Sequence, residues 1–141
     1  MDMRFTQRQD GQVDVDLGPE WPLFNEALGD SISSLPPRGA TGDGPSAYWV
    51  DVAARGLKRA LATGSSRPFI WGNTTLLRLS GGKIEARHDF GDEAEPGQFL
   101  EVDDFLRLLG EWRVRIQRSA ERAKAPLPET YRRNPSADVP P

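Results

Sequence analysis

The residues that could do chemistry are few. The chain has one histidine, His88, and no cysteine. Thiolate nucleophiles, disulfides and sulfur-ligated metals are therefore excluded together. His88 with its neighbour Asp89 is the one pair of a type that serves as a general base or a proton switch. No serine or threonine stands in a motif that would complete a catalytic triad around it, so His88 and Asp89 are catalytic candidates without an assembled apparatus. The densest carboxylate stretch comprises Glu85, Asp89, Asp92, Glu93, Glu95, Glu101, Asp103 and Asp104. Hard cations bind such groups, but a calcium loop needs oxygen ligands at alternate positions, a central glycine and a closing glutamate, and Asp89 to Glu101 does not keep that spacing. An exposed acidic loop that docks a basic partner fits these residues better, with Asp92, Glu93 and Glu95 as its contacts.

Gly39, Gly42 and Gly44 precede a helix start at Ser46, a layout superficially like a phosphate-cradling loop. A Walker loop places lysine and then serine or threonine directly after its last glycine; here Pro45 follows Gly44. No cofactor or metal is called for. Arg113, Arg115, Arg118 and Arg122 form a basic cluster that could meet phosphates. A pI near 5.2 and the lack of any nucleic-acid recognition motif argue against that use. Four tryptophans remain. Trp49 and Trp112 fall on helical apolar stripes, whereas Trp21 and Trp71 sit beside chain breaks, where aromatic rings often rim a binding surface. Leu76, apolar on a strand's otherwise polar side, extends that patch.

The elements that must position these residues can be read along the chain. Met3 and Phe5 alternate with polar residues, as do Val13, Val15 and Leu17. A three-residue loop of Gln9, Asp10 and Gly11 pairs Phe5 with Val15 and Arg4 with Asp16, keeping the two faces distinct. Pro19 to Gly29 predicts a short helical turn with Pro22 at its opening and Leu23, Phe24, Ala27 and Leu28 on its apolar side. Residues 33–45, rich in Ser, Pro and Gly, predict a surface loop.

Ser46 predicts an N-cap for a helix to about Thr63, ended by Gly64, with Trp49 or Val50, Ala53, Leu57 and Leu61 on one stripe and an Asp51–Arg55 ion pair on the other side. Gly56 either costs that helix a little or lets it approach a sheet closely. Pro68 to Trp71 and Thr74 to Ser80 predict strands, and Gly81-Gly82 closes a second hairpin that pairs Leu79 with Ile84, Leu77 with Ala86, Thr75 with His88 and Arg78 with Glu85. Acidic residues up to Asp104 open the last helix, whose stripe is Phe105, Leu108, Leu109, Trp112 and Ile116. Glu111 and Arg115 make a favourable pair along it.

This order predicts an α+β fold: an antiparallel sheet of about four to five strands built from two hairpins, with two main helices packed on one face. Residues 1–124 form the single domain. Residues 125–141, with five prolines, form a disordered tail. No apolar run approaches the length needed to span a bilayer and Met1 to Gly11 is polar, so the expected location is the cytoplasm, away from membranes.

Charge is segregated along the chain. Residues 1–104 carry 10 basic and 17 acidic side chains, net −7; residues 105–141 carry 8 and 4, net +4. Charged and aromatic patches without catalytic equipment point to a protein-binding module whose partner is another protein, of inhibitor, immunity or adaptor type, with homodimerisation through a strand edge or the aromatic patch open to it. The hairpins followed by Phe99 to Trp112 resemble small bacterial immunity and adaptor proteins in general layout rather than by motif. Two other classes compete: a small-ligand binder or hydrolase using His88 and nearby carboxylates, and nucleic-acid binding through the Arg-rich helix end.

Overall fold

The computed structural model describes residues 1–42, 44–91 and 94–124. The fold is α+β with two antiparallel sheets. The predicted first hairpin forms in the predicted register: β1 (Arg4–Gln7) pairs with β2 (Val13–Asp16), setting Phe5 opposite Val15 and Arg4 opposite Asp16. Gly11 takes the left-handed position of the three-residue loop, at φ 88°.

The hairpin does not join the larger sheet, which corrects the expectation of a single sheet drawing on both hairpins. The edge of β2 that such a union would use is satisfied by side chains. Ser34 Oγ accepts the Val13 N–H at 2.9 Å, the indole of buried Trp112 donates to the Val13 carbonyl at 2.8 Å, and Asn25 Oδ1 accepts the N–H of Leu17 just beyond the strand at 2.8 Å. With those backbone groups taken, a further strand would gain little there.

Helix α1 (Pro22–Ala27) opens on proline as expected. It continues past Gly29 as a π-helical turn over Leu28–Ile32, because Phe24, Ala27, Leu28 and Ile32 are all wanted in the core. The turn ends at Ser33, whose N–H donates to the Leu28 carbonyl at 3.0 Å. Within that turn Asp30 reaches across to the β3–β4 connection. Its Oδ1 accepts the Asn73 N–H, and its Oδ2 accepts the N–H and hydroxyl of both Thr74 and Thr75, at 2.7 to 3.3 Å. Gly72 lies against the Asp30 carbonyl, where a Cβ would collide.

Helix α2 (Tyr48–Thr63) begins two residues after Ser46. Ala47 occupies the cap position, and Ser46 Oγ accepts the Tyr48 N–H at 3.2 Å. Gly64 ends the helix in the left-handed region at φ 70°. The buried stripe is Val50, Ala53, Leu57 and Ala60; Leu61, expected on it, is exposed. Gly56 lets α2 close onto the sheet, since a Cβ there would lie 2.8 Å from the Phe69 carbonyl oxygen.

The four-stranded sheet runs β3 (Pro68–Trp71), β4 (Thr75–Ser80), β5 (Lys83–His88), β6 (Gln98–Glu101), neighbours antiparallel. All four predicted β4–β5 pairs are present around Gly81-Gly82. Strand β6, which the sequence pattern did not reveal, pairs Leu100 with Ile84 and Phe99 with Glu85. It passes directly into α3 (Val102–Lys124), so Glu101 belongs to a strand rather than to the helix start. Leu77, Ile84, Ala86 and Leu100 share one core with Leu57 of α2 and with Phe105, Leu108, Leu109, Trp112 and Ile116 of α3. Glu111 and Arg115 pair at 2.9 Å as predicted. Among the described residues no helix is long and apolar enough to cross a membrane. The segment 125–141 lies outside the described residues.

Candidate functional site

Period-two alternation sends Ile70, Leu77, Ile84 and Ala86 into the core and turns Trp71, Leu76, Arg78, Glu85, Arg87 and Phe99 to the opposite face. Two cross-strand rows result. One runs Trp71, Leu76, Arg87; the other runs Pro68, Arg78, Glu85, Phe99. At the centre Glu85 is only 4% exposed, with Arg78 Nε at 2.7 Å from one carboxylate oxygen and Arg87 Nη1 at 2.9 Å from the other. The backbone leading into β6 covers this network, for a Cβ on Gly97 would strike the Glu85 carboxylate. The Arg78–Glu85 pair expected on the wet face is thus part of a mostly buried three-charge cluster in which one carboxylate serves two guanidinium groups.

Around that polar centre stand apolar side chains. Trp71 is 62% exposed and Phe99 is 45% exposed. Arg67, Pro68, Trp71, Leu76 and Asp89 line an open groove of about 350 Å³. The structure therefore brings Trp71 and Leu76 together. Trp21 goes elsewhere: half-buried, it packs edge-on against Phe24 with ring centres 5.8 Å apart.

His88 ends β5. Its Nε2 lies 2.9 Å from Glu26 of α1 and its Nδ1 lies 3.0 Å from Glu95, while Phe90, 75% exposed, stacks on the ring. Asp89, the next residue along the strand, turns to the Trp71 groove instead, with its N–H on the Thr74 carbonyl. The predicted His88–Asp89 pairing is replaced by a Glu26–His88–Glu95 bridge. The hydrogen bond to Glu95 raises the imidazole pKa, partial burial lowers it, and the charges of Glu26 and Glu95 restore the rise, so the net direction is upward. An imidazolium donating from both nitrogens matches two carboxylates. In that protonated form both ring nitrogens are donors, and only the deprotonated ring offers a lone pair for a proton. Among the described residues no three acidic or histidine side chains converge as metal ligands.

The arginine cluster on α3 is largely engaged within the chain. Arg113 pairs with Asp51 at 2.8 Å, Arg115 pairs with Glu111 and lies over the Phe5 ring, and Arg122 donates to Gln7. Arg118 lines a small cleft of about 190 Å³ beside Phe5. Asp92 and Glu93 lie outside the described residues. Sequence reasoning missed Glu26 and Phe99 as neighbours of these sites. A period-two reading of Gln98 to Glu101 would have placed Phe99 beside Glu85, but no local signal announces Glu26. No protein-family model, no curated protein and no solved structure matches this chain.

Proposed function

We propose that this chain is a non-catalytic protein-binding module, of inhibitor or adaptor type, whose partner docks on the outer face of the four-stranded sheet around Trp71 and Leu76. One observation carries the reading: of four tryptophans only Trp71 is mostly exposed, and it stands beside an apolar groove. Tryptophan in such a position is the commonest kind of interface anchor, offering a large rigid surface at small entropic cost. The buried Arg78–Glu85–Arg87 cluster stiffens the platform beneath it.

The face itself is small. Four strands span about 14 Å and four to six residues span about 13–20 Å, an area near 250 Å² against about 800 Å² per partner in a standard interface. A partner touching the sheet alone binds weakly, so a stable complex extends past its edges. The test is capture from source-cell lysate on the tagged full chain, comparing wild type with Trp71→Ala. A stoichiometric protein retained by wild type and lost by the variant supports the reading; equal retention by both, or no partner on a folded chain, defeats it.

A second reading, a ligand-binding or hydrolytic centre at His88, has the two flanking carboxylates in its favour. It requires ligand binding or turnover that His88→Gln abolishes, whereas docking at Trp71 survives that change.

A further inference from the structure

Helix α2 carries Arg55, Lys58 and Arg59 at the i, i+3, i+4 spacing that lines up side chains on one face. The sequence offers Asp51 to neutralise Arg55, but the fold spends Asp51 on Arg113 of α3. The α2 stripe is left without its carboxylate. Arg67, just ahead of β3, adds a fourth cation. Among the described residues none of these four makes an ion pair, as is also true of Arg4, Arg38, Arg118 and Arg122, whereas Arg8, Arg78, Lys83, Arg87, Arg107, Arg113 and Arg115 do.

This stripe borders a cleft of about 250 Å³ between α2 and β3, floored by Gly56, Ala60 and Phe69 and rimmed by Arg59 and Arg67. Arg67 and Pro68 line both this cleft and the Trp71–Leu76 groove. The two depressions thus meet at Arg67 and Pro68, at the start of β3, with Arg59 and Arg67 at one end and Trp71 and Leu76 at the other, and together offer a track around that sheet edge.

We propose that the track takes an extended peptide segment of the protein partner, with a carboxylate side chain held between Arg59 and Arg67 and a bulky apolar side chain laid against Trp71 and Leu76. Arg67 and Trp71 are four positions apart along a chain that bends at Arg67 and bulges between Pro68 and Ile70, so their separation is at most about 13 Å and the two anchors of the ligand are up to about four residues apart. The assignment rests on the reading of the Trp71 face as a docking surface and deepens it. A nucleic-acid strand fits less well, because it repeats its negative charge along its length and would set a phosphate against Asp89 at the apolar end. A peptide ends its charge where the track does.

The experiment titrates the isotopically labelled full chain, followed by backbone amide resonances, with three probes. The first is a blocked octapeptide holding an Asp-Glu pair four residues from a Leu-Trp pair. The second has the same composition with the pairs adjacent, and the third is an oligothymidylate of eight nucleotides. The first peptide is expected to shift resonances on α2 near Arg59 and on β3–β4 near Trp71 together. It should bind at least about tenfold more tightly than the second, and lose about tenfold or more in the Arg59→Glu/Arg67→Glu variant, whose melting temperature stays at the wild-type value. Shifts confined to Trp71 and Leu76, equal affinity for the two peptides, unchanged binding by the charge-reversed variant, or no shift with any probe overturns the assignment. Preferential binding of the oligothymidylate overturns it in favour of a nucleic acid. Partner capture that needs Trp71 but ignores the charge reversal sinks only the peptide assignment; capture that ignores Trp71 sinks the docking reading itself.

Discussion

Replacing Asp30 by alanine removes the side-chain acceptor on which most donors of the turn between β3 and β4 converge. Five donors converge on its carboxylate: three backbone N–H groups, from Asn73, Thr74 and Thr75, and the hydroxyls of Thr74 and Thr75. Their losses are unequal. The Asn73 and Thr74 donors are exposed and return to water, at about 0.5 kcal/mol each. The Thr75 hydroxyl still has Ser31 Oγ at 2.8 Å. The Thr75 N–H is partly buried and is left without an acceptor, which costs about 1–3 kcal/mol. The total is about 2.5–4.5 kcal/mol, or about 10–18 °C in melting temperature for a domain of this size.

The effect carries a pH signature. Partial burial raises the Asp30 pKa, but the Thr74 N–H, the Thr75 hydroxyl and the remaining N–H donors outweigh it and hold the group below its ordinary value. A depressed carboxylate pKa means that the unfolded chain binds more protons, so this stabilisation is complete above about pH 4 and fades as pH falls through the folded value. The gap between melting curves for wild type and Asp30→Ala, recorded from about pH 7 to about pH 3, should therefore narrow toward the acid end. A gap below about 3 °C at neutral pH, or a gap that stays constant down to pH 3, refutes the argument.

Other expectations follow from single contacts. Gly56→Ala gains about 1 kcal/mol of helix propensity but drives a Cβ onto the Phe69 carbonyl, for a net loss of about 1–3 kcal/mol in urea unfolding; a more stable variant would contradict the close approach. Glu85→Ala removes the carboxylate that Arg78 and Arg87 share in a mostly buried cluster and should cost about 3 kcal/mol, with Glu85→Gln milder because it keeps an acceptor; equal, small losses would mean that the cluster is more hydrated than its geometry implies. The His88 pKa is raised in the folded protein, so its contribution to stability is full below about pH 6.5 and is lost as pH rises through the folded value. His88→Gln should flatten the pH dependence of melting in that range, and the single histidine resonance of wild type gives the folded pKa directly; an unchanged slope would show that the Glu26 and Glu95 bridge does not persist in solution.

The two hairpins were legible because their faces alternate, Leu76 excepted, and their turns carry glycines where left-handed geometry is needed. Arg78 and Glu85 were legible as a pair for the same reason. Strand β6 was not: it offers only Phe99 and Leu100 as apolar residues, and acidic helix-opening residues follow at once. The division into two sheets depends on Ser34, Asn25 and Trp112 meeting the edge of β2 across long stretches of chain, which no local pattern encodes. On α2, positions 60 and 61 serve a helical period equally well on paper, and packing selected Ala60. The Trp71–Leu76 patch could be read because Leu76 breaks the polarity of its strand. The cationic stripe beside it could not, because the local rule assigns Asp51 to Arg55 while the fold gives it to Arg113, 62 residues away.

Trp112 and Ser119 of α3 grip the first hairpin through its Val13 and Gly11 carbonyls, contacts that span 99 and 108 residues. On the ribosome that separation is a delay. At about 5–20 residues per second, roughly 5–20 s pass between the emergence of the hairpin and the arrival of the helix that completes it. Throughout that interval, although Ser34 and Asn25 are already at hand for the edge of β2, the hairpin lacks the helix that donates to its Val13 and Gly11 carbonyls and covers Phe5, Val13 and Val15. Asp14, Asp16, Arg4 and Arg8, set among those residues, keep the nascent ribbon charged while it waits. A chain cut before Trp112 never gains that cover, so such a fragment should aggregate more readily than the full chain.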